Sequence, residues 1–106
     1  MEDTVFHKII RKEIPATIRY EDEHVLAFND INPQGKTHVL LIPKVHITDL
    51  EDAVTSDEKM RALNHLIKAL PGIARETGVT QGYTVQTNVG DYQEVPYLHF
   101  HIISKY

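Results

Sequence analysis

The sequence contains no cysteine, no block of basic residues and no aliphatic run longer than the four residues Val39 to Ile42. Without cysteine there is no disulfide framework, no thiolate nucleophile and no Cys-built metal cage, a composition that suits a reducing compartment. Fifteen acidic residues stand against 11 basic ones, for a formal charge of −4. With no clustered Lys and Arg, a general nucleic-acid surface is excluded, although a local site for a small anion is not. No segment approaches the length of a membrane span, and the acidic start Met1-Glu2-Asp3 has no leader character, so the expected location is cytoplasmic. Repeats, linkers and low-complexity stretches are also absent. What remains is one domain over residues 1–106 with 42% apolar residues, close to the soluble average. A domain this small buries only about 60 to 70% of its unfolded surface, so a second copy is a natural supplement.

The local punctuation predicts an α+β chain. Val5, Phe6, Ile9 and Ile10 recur at helical spacing, in a short helix that must stop before Ile14-Pro15. Strands are predicted over Thr17 to Glu21 and Val25 to Asn29, with a polar turn between them, and over Thr37 to Ile42, closed by Pro43. Asp30 to Gly35 is a loop by its turn chemistry. Thr55-Ser56-Asp57-Glu58 has the form of a capping box, after which Leu63, Leu66, Ile67, Leu70 and Ala74 make the apolar stripe of a long helix. Pro71-Gly72 should loosen that helix, and Gly78 is placed to end it. Further strands are predicted over Tyr83 to Thr87 and Tyr97 to Ile103, with Asn88 to Pro96 as a loop. The sum is five strands with connections short enough for antiparallel pairing, one short helix and one long one.

The last strand makes the sharpest chemical proposal. Its alternation puts Tyr97, His99 and His101 on one face and Leu98, Phe100 and Ile102 on the other. Two imidazoles two residues apart on a strand lie roughly 7 Å apart, close enough to serve one phosphate group. A His-x-His strand taken alone is more often a packed pair than a catalytic one, and the surrounding motifs decide between these readings.

Three of those motifs, Asp30-Ile31-Asn32-Pro33-Gln34, Thr37 to His46 and Gln93 to His101, resemble the histidine triad (HIT) superfamily. Phe6 to Pro15 narrows the resemblance to its branch of histidine triad nucleotide-binding proteins. The likeness covers nearly the whole chain. It implies a HIT-like fold, a five-stranded antiparallel sheet that a homodimer joins into a ten-stranded one. It further implies a purine nucleotide (AMP or GMP and derivatives) as ligand, no cofactor, and hydrolysis of nucleoside 5′-phosphoramidates or acyl-AMP compounds through a nucleotidyl-histidine intermediate. Carried onto this chain, His99 is the nucleophile, and His101, His38 and the amide of Asn88 serve the phosphate oxygens. Asp30 accepts the ribose hydroxyls. Phe6, Ile9, Phe28 and Ile31, with Val5 and Asn29, wall the base, and the segment Gln93, Glu94 and Val95 completes the nucleotide site.

One departure stands out. The first triad position is Tyr97 where the family has histidine. A phenol cannot carry positive charge at neutral pH. The resemblance implies that the main-chain carbonyl at that position orients the nucleophile, and tyrosine supplies that carbonyl equally well. Glu94 stands where some relatives have a serine that helps the leaving amine, which opens the leaving-group preference.

Competing readings attach to each residue. Tyr97 can be aromatic packing, His38 a satisfied strand histidine, Asp30 a turn initiator, and the base-wall residues ordinary core. His46 is expected to make a structural hydrogen bond, and His7, His24 and His65 have no motif around them. Zinc on Tyr97, His99, His101 and His38 is disfavoured, because one strand supplies at most two or three ligands, so no metal is assigned. Two further functions remain open: nucleotide or partner binding with little turnover, marked by Tyr97, and dinucleoside polyphosphate cleavage.

Overall fold

Strand alternation divides the apolar residues between two cores, one on each face of a single sheet. In a computed structural model that describes residues 3–106, so that Met1 and Glu2 of the acidic start lie outside it, the order of elements is simple. The first half holds α1 (Val5–Ile10), β1 (Ile18–Glu21), β2 (Val25–Asn29) and β3 (Thr37–Pro43). The second holds α2 (Leu50–Ala53), α3 (Asp57–Glu76), β4 (Thr84–Gln86), a one-turn 3₁₀ helix (Gly90–Tyr92) and β5 (Phe100–Ser104). The five strands form one antiparallel sheet in the order β1-β2-β3-β5-β4. This is the predicted α+β, HIT-like architecture.

Val25, Ala27, Val39, Leu41, Leu98, Phe100 and Ile102 point to the face covered by α3. Leu26, Phe28, Leu40, Ile42 and Tyr97 point the other way, where Phe6 and Ile9 of α1 cover them. The period of two therefore settles which face each residue occupies, and the histidines fall on the α1 side. Register completes the placement: Leu40 pairs with His101 and His38 with Ile103, so His38 and His101 are diagonal neighbours on one face.

Several boundaries differ from expectation. The start of α3 is capped by Ser56, whose hydroxyl accepts the Lys59 N–H, and not by Thr55, which is drawn to the Asp52 carbonyl at the end of the unpredicted α2. The buried stripe of α3 is Ala62, Leu66, Leu70, Ile73 and Ala74. It is rotated from the predicted one, leaving Ile67 50% exposed, because α3 sets down on β3 and β2 along the Leu66–Leu70 line. The helix also continues through Pro71. The N–H that proline lacks would have gone to the carbonyl of Ile67, on the exposed side where water can serve it. Gly78, at φ +90°, ends the helix as expected, with its N–H on the Arg75 carbonyl.

The last strand begins only at Phe100. Tyr97 to His99 keep the predicted alternation but leave the ladder, since the Leu98 N–H goes to the Ile47 carbonyl. Tyr83 and Thr87 likewise flank β4 rather than extend it.

Candidate active site

The site is assembled where the start of β5, the start of β3, the loop that follows β2 and helix α1 meet. His99 is only 4% exposed, and its Nδ1 lies 2.7 Å from the main-chain carbonyl of Tyr97. A carbonyl can only accept, so Nδ1 carries a proton, and in the neutral ring the lone pair is on Nε2. The backbone on both sides of this carbonyl is held in place. The Tyr97 N–H donates to Val95 at 2.8 Å and the Leu98 N–H to Ile47 at 2.7 Å.

The ring of Tyr97 is fully buried and packs beside Phe6, His7 and His46 at centroid distances of 5.9, 5.0 and 4.9 Å. Its hydroxyl donates to the Pro43 carbonyl, and burial pushes the phenol pKa above its ordinary value. The side chain predicted among the catalytic groups is thus a core plug. Its contribution to the site is the main-chain oxygen.

A second chain of hydrogen bonds fixes the other imidazoles. The Gln34 main-chain N–H donates to His38 Nδ1 at 3.1 Å, so the proton of His38 sits on Nε2. That Nε2 is 2.8 Å from His101 Nδ1, which must then accept and leave its own proton on Nε2. His101 Nε2 finds no hydrogen-bond partner among the described residues. A buried donor without a partner is costly, and a phosphate oxygen is the kind of acceptor it lacks. Burial, reinforced by the neighbouring His99 and His38, lowers the His101 pKa to about 4, against a weaker opposing effect of Asp30. His38 is also pulled down by burial, again opposed by Asp30, whose carboxylate is 3.4 Å from His38 Nε2. Both rings are therefore neutral at pH 7.

Two chambers open on either side of His99 and His101. The first, about 250 Å³, is apolar. Val5, Phe6, Ile9, Phe28 and Ile31 wall it, with Asn29, Asp30, Glu94 and Val95 at its edge. Ile31 is 89% exposed there, which an ordinary core residue would not be. Ile14, Pro15, Ala16 and Leu40 complete the wall and were not anticipated. The second chamber, about 170 Å³, is polar: Asn88, Gln34, Gln86, Tyr92 and Ile103 line it, and it shares Asp30, Asn32, Glu94 and the two histidines with the first. Asn88 Oδ1 takes a hydrogen bond from Gln86.

Three expected residues stand elsewhere. Gln93 donates its side-chain amide to the Thr48 carbonyl at 2.7 Å and lines neither chamber. The Tyr97 ring faces the core, and His38 reaches the cleft only through His101. The Gln34 amide was missed because its role belongs to the backbone and no side-chain pattern marks it. His46 makes a 3.3 Å contact with the Pro96 carbonyl, the structural part expected of it, and His7 closes a capping box with Thr4. His24 and His65 stack on each other at 3.7 Å, away from the cleft. A larger, open cavity of about 530 Å³ lies beside Gly82, Tyr83 and Lys105 and contains no histidine.

Asp30, His38 and His101 bring one oxygen and two nitrogens within 4.8 Å of one another, a spacing that invites a metal. Their proton order does not fit one. A metal on His38 Nε2 would require the proton on Nδ1, where the Gln34 N–H already points.

On this sheet His99, with its Nδ1 tied to a main-chain carbonyl, stands between an apolar and a polar chamber. Comparison with known proteins gives the class to which such a chain belongs. The family model described as HIT domain matches residues 11–106. The purine nucleoside phosphoramidase of Escherichia coli K12 is 41% identical over 105 residues, covering 96% of this chain and 87% of that protein. A 14 kDa zinc-binding protein of Zea mays is 44% identical over 104 residues, covering 94% and 80%. Among solved structures, a HIT family hydrolase from Clostridium thermocellum superposes with a TM-score of 0.87 at 40% identity, covering 97% of this chain and 90% of the other. The chain belongs to the HIT domain family. Hydrolysis is the general activity that this kinship supports.

Proposed function

We propose that this protein hydrolyses purine nucleoside 5′-phosphoramidates through a nucleotidyl-His99 intermediate. The observation that carries the reading is the Tyr97 carbonyl on His99 Nδ1, which fixes a proton there and turns Nε2, the free nitrogen of the neutral tautomer, toward the junction of the two chambers. The likeness to a purine nucleoside phosphoramidase supports the substrate class. The base occupies the apolar chamber between α1 and Ile31, Asp30 accepts the ribose hydroxyls, and the α-phosphate lies against His99 and His101.

In the first step the bond from His99 Nε2 to phosphorus forms as the phosphorus–nitrogen bond breaks, and the departing amine takes a proton from water. In the second, water adds to phosphorus, the bond to His99 breaks, and a proton returns to solvent. The His101 Nε2–H and the amide of Asn88 stabilise the charge that gathers on the phosphoryl oxygens. The likeness to a protein named for zinc binding is set against the proton order of Asp30, His38 and His101, and no step passes through a metal.

The working unit of this reading is a cytoplasmic homodimer. No helix among the described residues is long and apolar enough to cross a membrane. The edge strand β4 exposes Val85, and α3 exposes Met60 and Ile67, as apolar surface for a second copy. The experiment is AMP release from adenosine 5′-phosphoramidate by the wild type and by His99→Ala, beside sedimentation of Val85→Glu. Release that survives His99→Ala contradicts the mechanism, and an unchanged sedimentation coefficient contradicts the edge-to-edge dimer.

A further inference from the structure

Among the described residues neither chamber is lined by a lysine or an arginine, although the ligand proposed for them is an anion. The titratable groups that face the phosphate position are His99 and His101, together with the carboxyl groups of Asp30 and Glu94. His38 stands behind His101. Neutral His101 adds no positive charge at pH 7, so the local field there is negative. Other anion sites offset substrate charge with guanidinium or ammonium groups, and among the described residues that line these chambers none does so.

The two carboxylates differ in what they can do. Asp30 is engaged: one oxygen accepts the Asn32 N–H at 2.8 Å and the other lies 3.4 Å from His38. Glu94 is exposed and borders the polar chamber, in the company of Gln86, Asn88 and Tyr92. The Tyr92 ring stands 83% exposed there on its one-turn helix. A negative carboxylate, side-chain amides and an aromatic ring are the surroundings that suit an ammonium group, through charge, hydrogen bonds and the ring face.

We infer that the polar chamber is a leaving-group subsite selective for amines that carry a second, positively charged group, with Glu94 as the residue that sets the preference. The inference rests on the phosphoramidase reading of the same cleft. A cationic amine offsets the negative field that the phosphate must enter. Once it has left, the AMP product bears more negative charge than the substrate, with no cation to hold it, and Glu94 favours its release. The same field opposes a leaving group made of further phosphates, and thus dinucleoside polyphosphates.

The test compares adenosine 5′-phosphoramidates of 1,3-diaminopropane and of n-butylamine, which match in size and differ in the terminal ammonium. The ratio of their kcat/KM values is read in the wild type and in Glu94→Gln, so that the intrinsic reactivity of the two compounds cancels. The expected result is a ratio about three to ten times larger in the wild type, as one partly solvated charge pair gives. This excess should shrink as salt is added, and Glu94→Lys should push the ratio below that of Glu94→Gln. Equal ratios in the wild type and Glu94→Gln overturn the subsite. If neither compound is hydrolysed by any form, the phosphoramidase reading fails. The same comparison made with dissociation constants then decides the subsite alone, and equal ratios of those constants overturn it.

Discussion

The carbonyl of Tyr97 sits 2.7 Å from His99 Nδ1 while the hydroxyl of the same residue is tied to Pro43, so one residue orients the candidate nucleophile and plugs the core. Its side chain lines neither chamber. Tyr97→Phe removes only the bond to Pro43 and should cost about 1 to 2 kcal/mol of stability while kcat for phosphoramidate stays within twofold. Tyr97→His should not raise the rate, since it places an imidazole in the buried pocket and leaves the carbonyl where it was. Denaturant unfolding with steady-state kinetics on both variants checks this. A large gain in kcat for Tyr97→His would mean that the ring at this position reaches the chemistry.

Gly35 lets the loop after β2 come close to β5. A Cβ there would stand 2.7 Å from the Ser104 carbonyl and 3.0 Å from the Ile103 side chain. The loop carries the Gln34 amide that orders the protons of His38 and His101. Gly35→Ala should therefore cost about 1 to 3 kcal/mol and lower activity as well. The ¹⁵N shifts of the His38 and His101 rings, which report the tautomer, should change with it. Loss of stability with unchanged ring shifts would separate the loop from the proton order.

Stability should depend on pH through the buried imidazoles. The His101 pKa falls to about 4 in the folded chain, below the ordinary value near 6.5 of an exposed histidine. The unfolded chain then takes up protons first as pH drops. The stabilisation of the neutral folded form is complete above about pH 6.5 and is lost as pH falls toward 4. His38 and His7, lowered in the same direction by burial, add to the loss. Urea midpoints at pH 7, 5.5 and 4.5 should fall in that order, and less steeply in His101→Gln. An unchanged slope in that variant would assign the dependence elsewhere.

Asp30→Asn should weaken AMP binding by about 1 to 3 kcal/mol, the usual loss for charge-assisted hydrogen bonds. The same substitution should have little effect on binding of 2′,3′-dideoxy-AMP, which has no ribose hydroxyls to give. Titration calorimetry on the four combinations isolates that contact, and an equal loss for both nucleotides would remove Asp30 from the ribose.

Much of this was legible in the residues. Alternation alone placed His99 and His101 on one face and Leu98, Phe100 and Ile102 on the other, because strand geometry has a fixed period. Helix α1 was bounded correctly by its spacing and by Ile14-Pro15. Residues whose role depends on tertiary partners were harder to read. Ile67 matches the stripe of α3 but faces solvent, since docking on β3 and β2 chose a neighbouring line of the helix. Gln93 lies within a site-like motif yet serves the Thr48 carbonyl, a partner 45 residues away. Gln34, Tyr97 and Ile47 act on the site through main-chain groups, which every residue type possesses and no composition marks.

The most direct test of the account is AMP release from adenosine 5′-phosphoramidate by the wild type and His99→Ala, with chelator present, together with AMP binding by both. The account predicts steady release by the wild type, none by His99→Ala, and AMP retained by each. Equal release from the two proteins, or no release from a wild type that still binds AMP, would contradict it.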